Sequence, residues 1–484
     1  MAFFSPISRR SQDRFVFHAS RLASAVGLLA VGLAQAQNAN EITITDTAPS
    51  QVSGFGDVPW SKAPFSAISF DRQVLQDIGA QRVSDALRLD ASVADSYNSP
   101  AYWDSLGVRG YTLDNRYNYR REGLPISAET MIGMDNKERI ELFKGTSGIQ
   151  AGTSAPGGLV NYVVKRPPTA KDETIRSVST SYGPGKNSSI GLDLGGRFGQ
   201  DQALGYRFNA AYEDLNPYIK NTEGHRKLFA LAMDWRLTPD SRLEWEIERS
   251  ERQQMGVNAY SLLANATDPL NGVPTLPPTV DGTRNITRQA WSVPGVFAGT
   301  TGTLRFKQNL DGGWLWTTQY GAQRLRTDDR LTFAFQSNYY KTKPDAPSFS
   351  DRFSPSGEFD LYDFRSENEL RRNDQVQIGL NSKLKTGSIE HNLKYGISFL
   401  QRSIYQGLAA FNTAAVEDNI YTMNDNVASN TGPIGPQNKT LDHYQNSLFI
   451  QDNIKLNDKL NLYLSSRFIE LSDKSYSTSG ILVG

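Results

Sequence analysis

The chain has 484 residues, with 51 lysines and arginines against 51 aspartates and glutamates, and no clustered basic stretch marks a nucleic-acid surface. Cysteine is absent, which excludes disulfide staples, thiolate metal sites and cysteine nucleophiles together. The four histidines (His18, His225, His391 and His443) stand far apart, so neither a metal site nor a resident cofactor is expected, and no catalytic constellation points to an enzyme.

The first element in the chain is an address. Arg9, Arg10, Arg14 and Arg21 precede a short apolar run from Ala25 to Leu33, followed by Ala34-Gln35-Ala36. A basic segment, a brief apolar core and small residues at a cleavage point predict a secretory signal peptide over residues 1–36. Its removal takes away four arginines against one acid, Asp13, leaving a slightly acidic chain. The apolar run is shorter than the roughly 20 residues a spanning helix needs, and no later stretch supplies them. No transmembrane helix is expected.

Residues 37–63 come next. Within them Glu41, Ile42, Thr43, Ile44 and Thr45 begin an extended, β-branched stretch that reaches Ala48. Such a segment suits addition to the exposed sheet edge of a partner. From Pro64 to Pro168 the grammar is compact and α+β. Phe65 to Phe70 alternates apolar and polar side chains, which predicts a strand. Asp71 is placed to cap a short helix through Val74, Leu75 and Ile78 that Gly79 stops, and Ser84–Leu89 reads as a second. Short strands are predicted over Leu106–Arg109, Arg139–Lys144 and Gly158–Val164, parted by glycine-rich turns.

After Pro168 segments of about ten residues alternate in hydrophobicity between polar turns. Leu204, Tyr206, Phe208, Ala210 and Tyr212 share one face of such a segment. Others run over Leu228–Leu237, Arg242–Arg249, Trp314–Arg326, Gln375–Leu384, His391–Leu400, Asn446–Leu456 and Leu460–Ile469. A soluble sheet with one wet face would alternate in the same way. Repetition over some 300 residues, aromatic residues near strand ends, and short turns alternating with long polar stretches (264–290 and 413–442) favour a transmembrane β-barrel.

The run from Glu138 to Pro167, ERIELFKGTSGIQAGTSAPGGLVNYVVKRP, closely resembles the end of the plug domain of TonB-dependent siderophore receptors. Asp85-Ala-Leu87, Val108-Arg109-Gly110 and Arg121-Glu-Gly-Leu-Pro125 fall before it in the family's order. Thr146 and Ala151-Gly152 depart from the family's usual turn, which bears on subfamily and not on the plug itself. The resemblance implies an N-terminal α+β plug over residues 64–168 inside a transmembrane antiparallel β-barrel over 169–484, in the cell outer membrane and its lipid. It identifies Glu41–Ala48 as a TonB box and TonB as the periplasmic partner. The fold would use Gly110, Gly145, Gly152, Pro156, Gly157 and Gly158 for tight turns, with Lys144 and Asn161 in the same framework. Arg109, Arg139 and Glu141 resemble plug positions that pair with the barrel wall.

The transported ligand implied is a ferric siderophore, held by the chelator and not ligated by the protein. Two plug apices carry the candidate contacts: Tyr97, Tyr102 and Trp103 in one, Arg116, Tyr117, Tyr119 and Arg120 in the other. Aromatic faces supply apolar area and arginines pair with anionic oxygens. Another scarce ligand, such as a cobalamin or a glycan, would share the plug and box. Plugged outer-membrane barrels have about 22 strands, whereas the residues after 168 hold roughly a dozen at the usual length. The expectation is a partial barrel, a fragment of a receptor that does not transport by itself.

Overall fold

The computed structural model of the protein describes residues 37–38, 66–97, 101–145, 152–183, 186–257, 261–267, 273–335, 352–408, 410–411, 416–427 and 434–483. The predicted signal peptide, the Glu41–Ala48 segment and the turn at Thr146 lie outside them.

The first body opens with β1 (Ser66–Asp71), α1 (Arg72–Asp77) and α2 (Val83–Leu87). Asp71 caps α1, its carboxylate accepting from the Val74 N–H at 3.0 Å. Asp85 serves α2 by accepting from the Gln81 and Arg82 N–H groups, each at 3.0 Å. A small antiparallel sheet follows, made of β2 (Val93–Asp95), β3 (Leu106–Val108) and β4 (Tyr111–Thr112). Then come β5 (Tyr119–Arg121), β6 (Leu124–Ile126), β7 (Lys137–Lys144) and β8 (Gly158–Val164). With β1 they form a five-stranded sheet of order β1-β7-β8-β5-β6, whose β5–β8 pair is parallel. Phe70, Leu75, Leu87, Leu106, Tyr119, Ile140, Leu142 and Tyr162 pack into one core between this sheet and the helices. At the return into β8, Gly157 has φ 109°, and a Cβ there would meet Tyr111 at 3.0 Å, so the turn requires glycine on both counts.

The second body is a meander of eleven antiparallel strands, each paired to the next. They are β9 (Ile175–Tyr182), β10 (Ser188–Phe198), β11 (Leu204–Leu215), β12 (Gly224–Thr238), β13 (Ser241–Gln254) and β14 (Gly295–Leu310). After them run β15 (Trp314–Phe335), β16 (Glu358–Thr386), β17 (Ile389–Gln406), β18 (Asn438–Asn457) and β19 (Leu460–Ser475). Every alternating segment read from the sequence falls inside one of these strands. The weakly alternating β9, β10 and β14 escaped that reading. Among the described residues β9 and β19 are the free edges of the meander.

Burial along these strands decides between a wet sheet and a membrane wall. In β11 Arg207, Asn209, Ala211 and Glu213 are buried, whereas Tyr212 is 43% exposed. In β12 and β13 Phe229, Trp235 and Ile247 are exposed while Arg226, Asp234, Glu244, Glu246 and Glu248 are buried. The polar face is turned inward and the apolar face outward. That inversion is stable only where the outside is lipid.

Tight turns close one end of the wall, at 199–203, 239–240, 311–313, 387–388 and 458–459, and long connections crown the other. Near the tight-turn end Gln37–Asn38 add to β16 beside Leu384–Lys385. β15 and β16 have 22 and 29 residues, more than the roughly 9–11 needed to cross a bilayer, so they extend past it. The long connections are not merely polar. Leu263, Ile286, Phe353, Phe359, Leu361 and Ile420 form a second apolar core, which ties together the segments following β13, β15 and β17.

Candidate functional site

The first body sits against the inward, polar face of the wall, and ion pairs make the seam. Three glutamates alternate along β13 at 244, 246 and 248, so all three point into the lumen. Arg121 answers two of them, bidentate to Glu246 at 2.6 and 3.0 Å and single to Glu248 at 2.7 Å. Lys137 and Asn136 also donate to Glu248, each at 2.8 Å. A second knot joins Glu122 to Arg166 at 2.8 Å and to Arg305 at 3.0 Å, and Arg305 to Glu244 at 2.6 Å. Asp135 receives Arg226 of β12 at 2.6 Å, and Lys165 reaches Asp193 of β10 at 3.0 Å. Burial alone would raise the Glu122 carboxyl, but Arg166 and Arg305 hold it down at about 2. Burial lowers the Lys137 ammonium below its ordinary value in spite of Glu248.

Of the residues predicted to reach the wall, Arg139 and Glu141 also find partners inside the first body. Arg139 donates to its own neighbour Glu141 at 2.8 Å, and Glu141 accepts from Asn161 at 2.8 Å, so this charge is compensated within the first body. Arg109 is exposed and makes no ion pair among the described residues; with Gly110 it forms a turn of positive φ between β3 and β4. Lys144 pairs with Asp90, again inside the first body. The cause is geometric: β7 and β8 are central in their sheet, whereas Arg121 and Glu122 stand where β5 ends. Gly145 donates its N–H to the Gly157 carbonyl at 2.8 Å, Gly152 packs against Gln445 of β18, and Pro156 is exposed on the turn before Gly158.

Both predicted apices lie at the long-connection end of the lumen. Tyr102 stacks on Trp103 with centroids 4.0 Å apart, and both meet Phe297 of β14 edge-on, at 5.3 and 5.6 Å. Tyr97 meets Tyr102 at 5.6 Å and is itself 53% exposed. Arg371 of β16 lies over the Trp103 ring at 5.6 Å. At the second apex Tyr117 faces His443 of β18 at 5.4 Å, and the Arg402 guanidinium of β17 covers the Tyr117 ring at 4.8 Å. Arg116 pairs with Asp114 at 2.9 Å.

Tyr119 and Arg120 are not brought to this surface. Tyr119 is wholly buried in the core of the first body, and Arg120 is turned inward, donating to the Tyr117 and Tyr119 carbonyls at 2.9 Å each. Their place on β5 explains it, since that strand is sandwiched between β8 and β6. The wall residues Phe297, Arg371, Arg402 and His443 were missed by sequence reasoning. Their only signal was a large or charged residue on the polar face of a strand, near its long-loop end.

Known proteins bear on this architecture. Residues 60–159 match the family model described as the TonB-dependent Receptor Plug Domain. The chain is 24% identical over 490 residues to the ferrichrome outer membrane transporter/phage receptor of Escherichia coli K12, an alignment spanning 92% of this chain and 62% of that protein. It is 25% identical over 268 residues to the ferrichrome receptor FcuA of Yersinia enterocolitica, spanning 54% of this chain and 33% of that one. Of solved structures, the ferripyoverdine receptor of Pseudomonas aeruginosa bound to ferripyoverdine superposes with a TM-score of 0.72 at 18% identity, covering 94% of this chain and 59% of that one. The closed form of the ferric-catecholate import receptor Fiu from E. coli K12 gives 0.72 at 19% identity, covering 91% and 60%. The chain thus spans less than two thirds of the length of these relatives. Residues 60–159 are thus a plug of the TonB-dependent receptor type, seated on the inward face of an inverted, lipid-facing sheet that shares the fold of outer-membrane siderophore receptors.

Proposed function

We propose that the protein binds ferric siderophores at the outer mouth of its lumen and admits them by energy-coupled displacement of its plug. The observation that carries this reading is a pair of aromatic apices at the long-connection end, one under the wall's Arg371 and the other bearing Arg116, on a plug tied to the wall by ion pairs. A chelate settling on Tyr102, Trp103 and Tyr117 would push on segments joined to the plug sheet. Asn118 makes that joint: its side chain donates to the Ala155 and Gly158 carbonyls at 2.8 and 2.6 Å and accepts from the Ala155 N–H at 3.0 Å. The force then passes along β8 and β7 to β1, the strand that follows the Glu41–Ala48 segment. TonB would pair with that segment and draw the plug aside. We take residues 37–63 as box and linker, 64–168 as plug and 169–484 as wall.

The test is uptake of a panel of ⁵⁵Fe-labelled chelates by iron-starved cells producing the protein. Saturable uptake that stops on deletion of residues 41–48, or on collapse of the proton gradient, is expected. Iron accumulation indifferent to both would remove the reading. A second reading, import of a different metallophore complex, is favoured by 31% identity over 118 residues, 24% of this chain, to the metal-pseudopaline receptor CntO of Pseudomonas aeruginosa. Competition of ⁵⁵Fe uptake by other metal complexes separates the two.

A further inference from the structure

Among the described residues, Arg402 is a buried cation whose terminal nitrogens are left unmatched. It is 1% exposed and among the largest fully buried side chains of the protein. Its Nε donates to Asn373 at 2.6 Å, yet both terminal nitrogens lack a hydrogen-bond partner among the described residues. Beside it on β18, His443 is also buried, with Asp473 3.6 Å away and neither ring nitrogen hydrogen-bonded. A guanidinium out of water with no carboxylate hydrogen-bonded to it is costly, and stacking on the Tyr117 ring offsets only part of that.

The charges around it are mixed: Arg116, Arg120 and Arg467 crowd this corner, and the Asp114 and Glu129 carboxylates act on Arg402 without hydrogen-bonding to it. Arg402 and Arg467 both act on Arg120, and together with burial they push its guanidinium down to about 9. Arg116, on the same apex as Tyr117, is already committed to Asp114. The fork of Arg402, stacked on Tyr117, lies at the junction of apex and wall with two donors in the planar spacing that a carboxylate fits.

We propose that Arg402, assisted by His443 and by Arg116 at the rim, is an anion-binding subsite, and that the cargo is a ferric chelate bearing a free carboxylate, not a neutral hydroxamate. This rests on the siderophore-import reading and names the class of chelate. The subsite also places the ligand's charge directly against Tyr117, so that occupancy displaces the ring now lying on Arg402 and moves the apex that Asn118 ties to the plug.

The full chain in outer-membrane preparations is titrated with ferric citrate, an anionic carboxylate chelate, and with ferrichrome, a neutral hydroxamate, following quenching of tryptophan fluorescence. Ferric citrate should bind more tightly, and Arg402→Gln should weaken it about ten- to hundredfold while leaving ferrichrome unchanged. Arg402→Lys, which keeps the charge and loses the fork, should recover part of the loss. Removal of an unpaired buried charge should leave the melting temperature of Arg402→Gln unchanged or higher, which separates lost recognition from lost folding. Equal or tighter binding of ferrichrome, or a citrate affinity untouched by Arg402→Gln, overturns the proposal and leaves siderophore import standing. If no ferric chelate of the carboxylate, hydroxamate or catecholate classes binds, the import reading fails instead.

Discussion

The plug's own core and the seam between plug and wall are built from opposite materials. Leu87, Leu106, Ile140, Leu142 and Val160 are all fully buried inside the plug, where apolar area removed from water supplies the stability. At the seam Arg121, Glu122, Lys137, Glu246, Glu248 and Arg305 meet as ions, and much of their mutual attraction is offset by the cost of drying them. A body glued internally by apolar contact and externally by paired charges keeps its fold when it leaves its seat. Water can take the place of each broken pair, whereas it cannot replace Leu142. The difference therefore allots rigidity to the plug and a replaceable hold to its attachment, which is what the proposed gating requires.

The largest effect should come from leaving one side of the seam unpaired. Glu248→Ala strands Lys137 and Asn136 and leaves Arg121 with Glu246 alone, and should weaken plug seating by about 3–5 kcal/mol. Limited proteolysis of the plug, and entry of large antibiotics into cells producing the variant, would register it. Joint replacement of Arg121, Lys137, Glu246 and Glu248 by apolar residues of similar size should cost much less than the single change. If it costs more, the seam is held by charge attraction and the contrast drawn above is wrong.

Leu142→Ala tests the other material. It removes a fully buried side chain and should cost the plug about 3 kcal/mol, with loss of internal order and not of docking alone. Hydrogen exchange should then show faster exchange throughout β1, β7 and β8, while Glu248→Ala loosens the plug's outer surface and spares those strands. Similar exchange patterns in the two variants would erase the distinction.

Acid offers a graded way to open the seam. The Glu122 carboxyl lies below its ordinary value in the seated plug, at about 2, because Arg166 and Arg305 outweigh burial. Its contribution is fully present above the ordinary value near 4.5 and is lost as pH falls toward 2. Plug protection from protease should hold from neutral pH to about 5 and decline below that. In Glu122→Gln protection should be lower at neutral pH and flatter across the same range.

Much of this contrast could be read from the residues, and the part that could not has a physical cause. The period-two alternation of β11 and β12 reports a face, and the sequence-predicted strand Gly158–Val164 has the observed bounds because glycine and the Arg166-Pro167 step mark its ends. β10 was missed because Gly191, Gly195 and Gly196 dilute its pattern. The glutamates at 244, 246 and 248 were visible as a polar face. Their partners were not, because Arg121 lies 125 residues from Glu246 and nothing local ties them. Arg139 and Glu141 were expected at the wall from the family resemblance alone; being two apart on one strand they share a face and also pair with each other. Local periodicity reveals which way a side chain points, and only the assembled sheet decides whom it meets.

The seam also has a neutral clasp, and it gives the smallest test. Gln323 of β15 accepts from the Ser127 N–H at 2.8 Å and donates to the Ser127 carbonyl at 3.1 Å, a reciprocal pair resembling one rung of a sheet. It also accepts from Asn373 at 2.6 Å, the residue that orients Arg402. Gln323→Ala removes amide bonds and no charge, so plug seating should weaken by about 1 kcal/mol. That loss should be the same at pH 5 and pH 7.5 and insensitive to salt. Ferric chelate affinity should shift as well, since Asn373 loses the partner that fixes it. A loss that grows with ionic strength would mean that Gln323 positions the neighbouring charges, and the clasp would then belong to the ionic seam after all.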